Sequence, residues 1–422
     1  MSKETKVAII GAGTAGLSAA CYLQDKGYEN ITLFERENHA GGKCRTLTFD
    51  GKTYELGAVL GTCYYDKTLD LMQRAGLKPC NFDEESDCSQ WKEMKKYGYF
   101  ALDRTCPDYI RPIDIPGLLI QVAKYKALSK KYENLYKPGF HNIPEELYEP
   151  FGTWMKKNKM ELFGKMIQIP FTTFGYGYYD EIPAAYVLKY IDYPTATCLI
   201  RTAKFFKWDE GVQEIWNRLA DKFDTRLGAS ITSITRDDEK VRITADGSTE
   251  EFDKLIITSP LDELPGVMDT SQTEEELFSK IQYYDYRVFL CRAEDFPLDT
   301  GFVPSTFTRG GAGHMMIWDR RWKTNDIFTI YVLNPDGLSD EELEKNLEKD
   351  MVQAGGKLKE ILHHAKWKYF PHVTPEDFQN GFYAELEGLQ GRKNTYYAGE
   401  ITGFSTIEIS AAYSEELVDK HF

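Results

Sequence analysis

Gly11-Ala12-Gly13-Thr14-Ala15-Gly16 has a spacing suited to one piece of chemistry: bringing backbone N–H groups against a phosphate. Gly11 permits a tight turn, Gly13 lets the chain approach a pyrophosphate, and Gly16 lets a helix pack closely on a sheet. Glu35 follows Gly13 by 22 residues, where an acid accepts hydrogen bonds from the hydroxyls of an adenosine ribose. Such a site needs a strand, a turn, a helix and a second strand. The β-branched run KVAII (6–10), the helically spaced LSAACYLQDKG (17–27) and ITLFE (31–35) supply them in about 30 residues. A glycine run alone is a weak signal. The coincidence of strand, helix and acid makes it a dinucleotide site.

The chain around this unit has 422 residues, enough for two to three domains at about 150 residues each. Apolar residues make up 42%, which supports a sizeable core. With 51 Lys and Arg against 66 Asp and Glu, the net charge is −15. That balance excludes sequence-independent nucleic-acid binding and gives no overall attraction to anionic lipid headgroups. No run of about 18 apolar residues predicts a membrane span. MSKETKVAIIGAG enters a strand directly, leaving no room for a leader, so a cytoplasmic protein is expected. Eight cysteines without a CxxC pair read as reduced thiols, and no metal site is expected. Oligomeric state is not legible.

A second glycine pair, Gly41-Gly42, is followed by Lys43 and Arg45. This pairing resembles the GG motif of FAD-dependent oxidoreductases of the amine oxidase and carotenoid desaturase type. Near the other end, NTYYAGE (394–400) is similar to the C-terminal flavin motif of that superfamily, with Ala398, Gly399 and Glu400 in its Ala-Gly-acid positions. The following residues, with Ile409, Ala412, Tyr413 and Leu417 at helical spacing, predict a helix that starts beside the flavin. The resemblance implies FAD as cofactor, contacted by Gly11, Gly13, Thr14, Ala15, Gly16, Glu35, Arg36, Gly42, Lys43, Gly57, Ala58, Val59, Gly399, Glu400 and Ile407. It also places Ser230 and Ile231 beside the adenine.

The implied fold class is α/β: a Rossmann-like, discontinuous FAD-binding domain (1–80, 208–282 and 391–422), an antiparallel substrate-binding sheet domain (283–390) and a helical lid (81–207). YRVFLCR, GHMMIWD and DIFTIYVLN read as strands of the second, with a polar helix at 338–362. ASITSIT, VRITA and DKLIITSP, within 229–260, read as three short strands.

Three further segments, IPFTTFGYGYYDEIPAAYVLKYID (169–192), KYFPHVTPEDF (368–378) and EGLQGRKNTYYAGEI (387–401), resemble the bacterial polyenoic fatty acid isomerases, FAD enzymes that convert linoleic acid to a conjugated isomer. The likeness runs through nearly the whole chain and is patchiest between 78 and 165. It implies a reaction in which flavin N5 takes a hydride from the carbon between two cis double bonds and returns it at another carbon. The protein then has to orient the chain at about 3–3.5 Å, exclude water and stabilise a transient allylic cation with aromatic faces. Phe174 matches the family's flavin-facing aromatic, and Tyr176, Tyr178 and Tyr179 could extend that wall.

Two departures concern the substrate head group. The family's carboxylate-binding arginine has no counterpart in NFDEESDCSQWKEMKKYGY, which offers Lys92, Lys95 and Lys96 instead. A phenylalanine that helps hold that end is replaced by Leu199, followed by Arg201, which could substitute as anchor. The partner expected is a polyunsaturated fatty acid or a related acyl chain. An amine oxidase, with Tyr396 and Tyr397 as half of an aromatic cage, or a polyene desaturase would instead yield a net oxidised product. A non-catalytic flavoprotein is the bland alternative. Among the histidines, only His314 and His372 lie in family-like segments.

Overall fold

The computed structural model describes residues 3–78, 80–81, 109–200, 205–296 and 298–422. Lys6–Ile10, Asn30–Glu35, Asp224–Leu227, Lys254–Ile257 and Thr395–Tyr397 form one parallel sheet. Lys6–Ile10 lies at its centre, paired through Ile9 with Ile256 on one side and Leu33 on the other. These three side chains are fully buried, as a parallel sheet covered on both faces requires. Each such side chain contributes about 1.5–3 kcal/mol of burial free energy. Sequence positions hundreds of residues apart therefore meet at the carboxyl ends of adjacent strands.

The helix Thr14–Asp25 covers one face of the sheet, with Leu17, Ala20 and Leu23 buried. Ile407–His421 packs beside it, and Ser414 Oγ donates to the Ala15 carbonyl at 3.1 Å. A small antiparallel sheet, Ile231–Arg236, Val241–Ala245 and Ser248–Phe252, is appended.

A second five-stranded sheet is wholly antiparallel in its pairings: Thr300–Phe302, Met315–Asp319, Ile327–Leu333, Gln282–Glu294 and Lys357–His372, in that spatial order. The helix expected over 338–362 ends at Gln353. Gly355 follows in a left-handed conformation (φ +86°), and the rest of the segment pairs with Gln282–Glu294 as a long strand. The sheet is fastened to the flavin-motif segments by a buried ion pair. Arg321 donates to Glu55 at 3.1 Å and to the Trp208 carbonyl at 2.8 Å.

Residues 109–200 are mainly helical: Ile115–Lys131, Phe151–Lys157, Glu161–Thr173, Ala184–Tyr190 and Tyr193–Ile200. They close over the crevice between the two large sheets. Among the described residues, no helix is long and apolar enough to cross a membrane.

Candidate active site

The turn leaving the central strand is built as its glycine spacing demands. A side chain at Gly16 would put its Cβ 2.0 Å from the Gly11 carbonyl, so only glycine lets the helix start this close to the strand. Gly13 is the N-cap of Thr14–Asp25 and offers no side-chain cap. The first-turn N–H groups, with the positive end of the helix dipole, are thus left for a ligand, and Thr14 and Ala15 line the adjoining cavity. The second glycine pair is clasped to the first. Gly13 bridges Gly41, and the Gly41 N–H donates to the Ala12 carbonyl at 2.9 Å.

Glu35 is held at the end of its strand by two backbone donors, Ala12 N at 2.8 Å and Glu37 N at 2.9 Å, one on each carboxylate oxygen. Each oxygen keeps further acceptor capacity for a ribose hydroxyl. Lys43 Nζ donates to both oxygens of Glu400 at 2.8 Å, and Ser405 Oγ donates to the same carboxylate at 2.9 Å. At the start of the last helix, Thr406 Oγ1 accepts from Ile409 N, and Glu408 accepts from the N–H groups of Lys67 (3.0 Å) and Thr68 (2.9 Å). Burial pushes the Glu408 carboxyl above its ordinary range, against the opposing pull of those donors.

These features surround one cavity of about 880 Å³. All the cofactor-contact positions expected from the sequence line it except Gly16, which lies beneath the turn. An uncapped helix start, a fixed ribose acid and the glycine cradle fit a dinucleotide. Gly57, Ala58 and Val59 carry the wall onward to an apolar end.

That end is formed by Pro170, Phe174, Tyr190, Ile191, Leu199 and Phe205. Phe174 is half-buried at the C-cap of Glu161–Thr173, its ring edge-on to Tyr331 with centroids 6.4 Å apart. Tyr176 also lines the cavity. Its hydroxyl donates to the Ser405 carbonyl at 2.8 Å, and its ring packs on Tyr190 (4.7 Å), Phe370 and Phe404 (both 5.3 Å). Burial holds the phenols of Tyr176 and Tyr369 well above their usual range, so both stay protonated. The Cys44 thiol, also on the wall, is pushed up to about 12 by burial.

Several expectations change. Tyr178 and Tyr179 do not line the cavity: both are buried in the helical core, with the Tyr179 hydroxyl donating to the Gly164 carbonyl at 3.0 Å and the Tyr178 ring edge-on to Tyr284. The left-handed Gly175 and Gly177 turn the chain, so Phe174 and Tyr176 line the cavity while Tyr178 and Tyr179 do not. Tyr396 and Tyr397 do not reach the cavity either. Tyr397 is hydrogen-bonded to Glu274 and Arg236, and Tyr396 packs on Phe422, so they form no amine cage there. His314 bonds to Asp350, and His372 is stacked between Tyr284 and Phe370; neither lines the cavity. Leu199 is on the wall, whereas Arg201, Lys92, Lys95 and Lys96 lie outside the described residues.

Wall residues that the sequence reading does not single out include Tyr65, Thr195, Trp208 and the stretch from Ala365 to Trp367. Trp367 Nε1 donates to the Leu56 carbonyl at 2.8 Å, locking that strand to the flavin-motif segment. No local motif marks them: Ala365 to Trp367 arrive on a strand paired with Gln282–Glu294, Tyr65 at the start of a helix and Thr195 within one.

Residues 14–413 match the family described as flavin containing amine oxidoreductase, and the chain belongs to it. A solved structure titled as a CLA-producing fatty acid isomerase from P. acnes is 33% identical, with full coverage of both chains and a TM-score of 0.89. The chain thus also falls within the polyenoic fatty acid isomerase family that its segments resemble. Putrescine oxidase is similar in fold alone, at 15% identity and a TM-score of 0.70 over 98% of both chains. Among curated proteins, the beta-cyclopiazonate dehydrogenase of Aspergillus oryzae is 23% identical over 98% of this chain and 92% of its own length. The FAD-dependent oxidoreductase oblC of Cochliobolus heterostrophus is 24% identical over 93% and 86%. Family and site agree on FAD as the cofactor.

Proposed function

We propose that this flavin containing amine oxidoreductase is an FAD-dependent isomerase that moves a double bond of a polyunsaturated fatty acid into conjugation. The observation that carries this reading is the end-to-end likeness, at 33% identity, to the CLA-producing fatty acid isomerase. FAD, when bound, supplies a centre able to accept a hydride and give it back.

Glu35, the glycine cradle and the Lys43–Glu400 pair would hold the cofactor in the same cavity that the apolar wall lines. Pro170, Phe174, Leu199 and Phe205 exclude water and confine an extended acyl chain. Pinning the reacting carbon at one distance converts a floppy encounter into a near-attack arrangement. The faces of Phe174, Tyr176 and Tyr190 offer their negative quadrupoles to positive charge spread along the substrate. No side chain has to move a proton. The phenols on the wall stay protonated, and the two histidines that drew attention in the sequence are occupied elsewhere.

A second reading, net dehydrogenation, is favoured by the likeness to beta-cyclopiazonate dehydrogenase. It uses the same cavity with an external electron acceptor. Anaerobic incubation of the holoenzyme with linoleate and longer polyenoic acids separates the two. The isomerase produces conjugated-diene absorbance over many turnovers with the flavin band unbleached. A dehydrogenase stops after one turnover with the band lost and resumes when an electron acceptor is added, whereas an oxidase would release hydrogen peroxide in air.

A further inference from the structure

We propose that the outward face of the helix Ile115–Lys131 is a docking surface for an anionic lipid bilayer. Seven large hydrophobic side chains are exposed among the described residues, and four of them fall between 113 and 120: Ile113 (78% exposed), Ile115 (41%), Leu119 (51%) and Ile120 (70%). The opposite face of the helix is buried through Leu118, Val122 and Tyr125. At 3.6 residues per turn, Leu119 and Ile120 open an outward stripe that Pro116, Ala123 and Ala127, all exposed, continue. Exposed lysines border it on both sides, Lys126 and Lys130 on one flank and, on the other, Lys124 and Lys131, the latter ion-paired with Glu146. An apolar stripe rimmed by long cationic side chains is the pattern of a helix that lies in a membrane interface, where lysine stems cover apolar surface and the ammonium heads reach phosphate.

The local charge departs from that of the whole chain. Residues 109–165 carry ten Lys and Arg against six Asp and Glu, a net of +4 in a protein of −15. The helix itself has four lysines and no acid. Lys124 reaches the Asn158 carbonyl, which brings the exposed Lys156, Lys157 and Lys159 to the same side. A basic island on an acidic protein orients it towards an anionic surface. A second copy of this chain is the poorer occupant, because a two-fold contact would set lysine against lysine.

The surface is continuous with the candidate active site. The Tyr125 hydroxyl donates to the carbonyl of Ile191, a wall residue of the cavity, and the Tyr125 ring packs on Phe163 of the helix whose C-terminal turn carries Pro170 and Phe174. One layer of side chains separates the proposed lipid face from the proposed acyl site. The docking proposal does not depend on turnover and stands or falls apart from the isomerase reading.

The test is flotation of the FAD-loaded protein with vesicles of phosphatidylcholine alone and of phosphatidylcholine with a third phosphatidylglycerol. Binding is expected to the anionic vesicles only and to weaken with added salt. A variant with Ile113→Ser, Leu119→Ser and Ile120→Ser should lose binding about tenfold or more while keeping its flavin. Lys126→Gln and Lys130→Gln, which leave the apolar stripe intact, should each weaken it about fivefold. Absence of flotation overturns the proposal, as does binding that neither set of variants changes. A dimer that the serine variant dissociates, without lipid binding, also overturns it by assigning the face to a second copy.

Discussion

Lys43 and Glu400, 357 residues apart in the chain, meet in a two-pronged ion pair with both contacts at 2.8 Å on the wall of the cavity. The pair joins the glycine-rich start of the chain to its C-terminal flavin motif. It lies only about a quarter exposed, with the Tyr369 ring 5.5 Å from the ammonium. Lys43→Met and Glu400→Gln should each weaken FAD binding by about tenfold, which corresponds to ~1.4 kcal/mol. Titration of apoprotein with FAD measures this, and an unchanged dissociation constant would remove the pair from cofactor binding.

Two glycines of the first motif should fail differently. Alanine at Gly16 drives a methyl into the Gly11 carbonyl, so Gly16→Ala should lower the yield of folded protein and its melting temperature. At Gly13 the added Cβ meets nothing closer than Gly42 Cα at 3.8 Å. Gly13→Ala should therefore fold but retain less flavin, because the methyl enters the cradle. Equal melting temperatures for the two variants would contradict this.

His372 sets an acid limit on stability. Its ring is stacked between Tyr284 and Phe370, Nδ1 donates to the Phe370 carbonyl at 2.8 Å, and burial lowers its pKa to about 4. Between that value and the ordinary 6.5, the unfolded chain binds a proton that the folded protein refuses. Stability therefore falls as pH drops through this window, by about 3 kcal/mol when it is fully crossed. Thermal melts should show a steeper decline from about pH 7 to about pH 4.5 in the wild type than in His372→Phe, which keeps a stacked ring and cannot titrate. Parallel profiles would assign the acid sensitivity elsewhere.

The two ends of the site differ in how far the sequence reveals them. Gly11 to Gly16 and Glu35 are readable because backbone geometry and short spacing dictate them, whereas Ala398 to Glu400 are readable through likeness to the superfamily's C-terminal flavin motif. Phe174 and Leu199 are found through family likeness. Tyr65, Trp208 and Trp367 carry no local signature, since their place depends on which strands and helices meet across the cavity. The same dependence misplaces Tyr178 and Tyr179. Spacing within FGYGYY does not reveal that Gly175 and Gly177 turn the chain, so those rings go to the core while Tyr176 stays on the wall. A polar segment after Lys349 reads as continuing helix, yet Gly355 and pairing with Gln282–Glu294 make it a strand.

The aromatic wall should act through its rings rather than its hydroxyls. Phe174→Leu and Tyr176→Leu should keep the flavin spectrum and lower isomerisation by about tenfold or more, the loss of one cation–aromatic contact. Tyr176→Phe removes the bond to the Ser405 carbonyl and the 3.4 Å contact from the Tyr369 hydroxyl, and should stay within about threefold of the wild type. A Tyr176→Phe variant as impaired as Tyr176→Leu would point to the hydroxyl instead.

The most direct test follows the hydrogen itself. Linoleate carrying deuterium on the carbon between its two double bonds is turned over anaerobically by the FAD-loaded enzyme, and the conjugated product is analysed by mass spectrometry. Intramolecular return of the hydride predicts a product of unchanged mass, with the label at a new carbon and the flavin still oxidised. Loss of the label with bleaching of the flavin, or no conjugated product from any polyenoic acid, would contradict the isomerase reading.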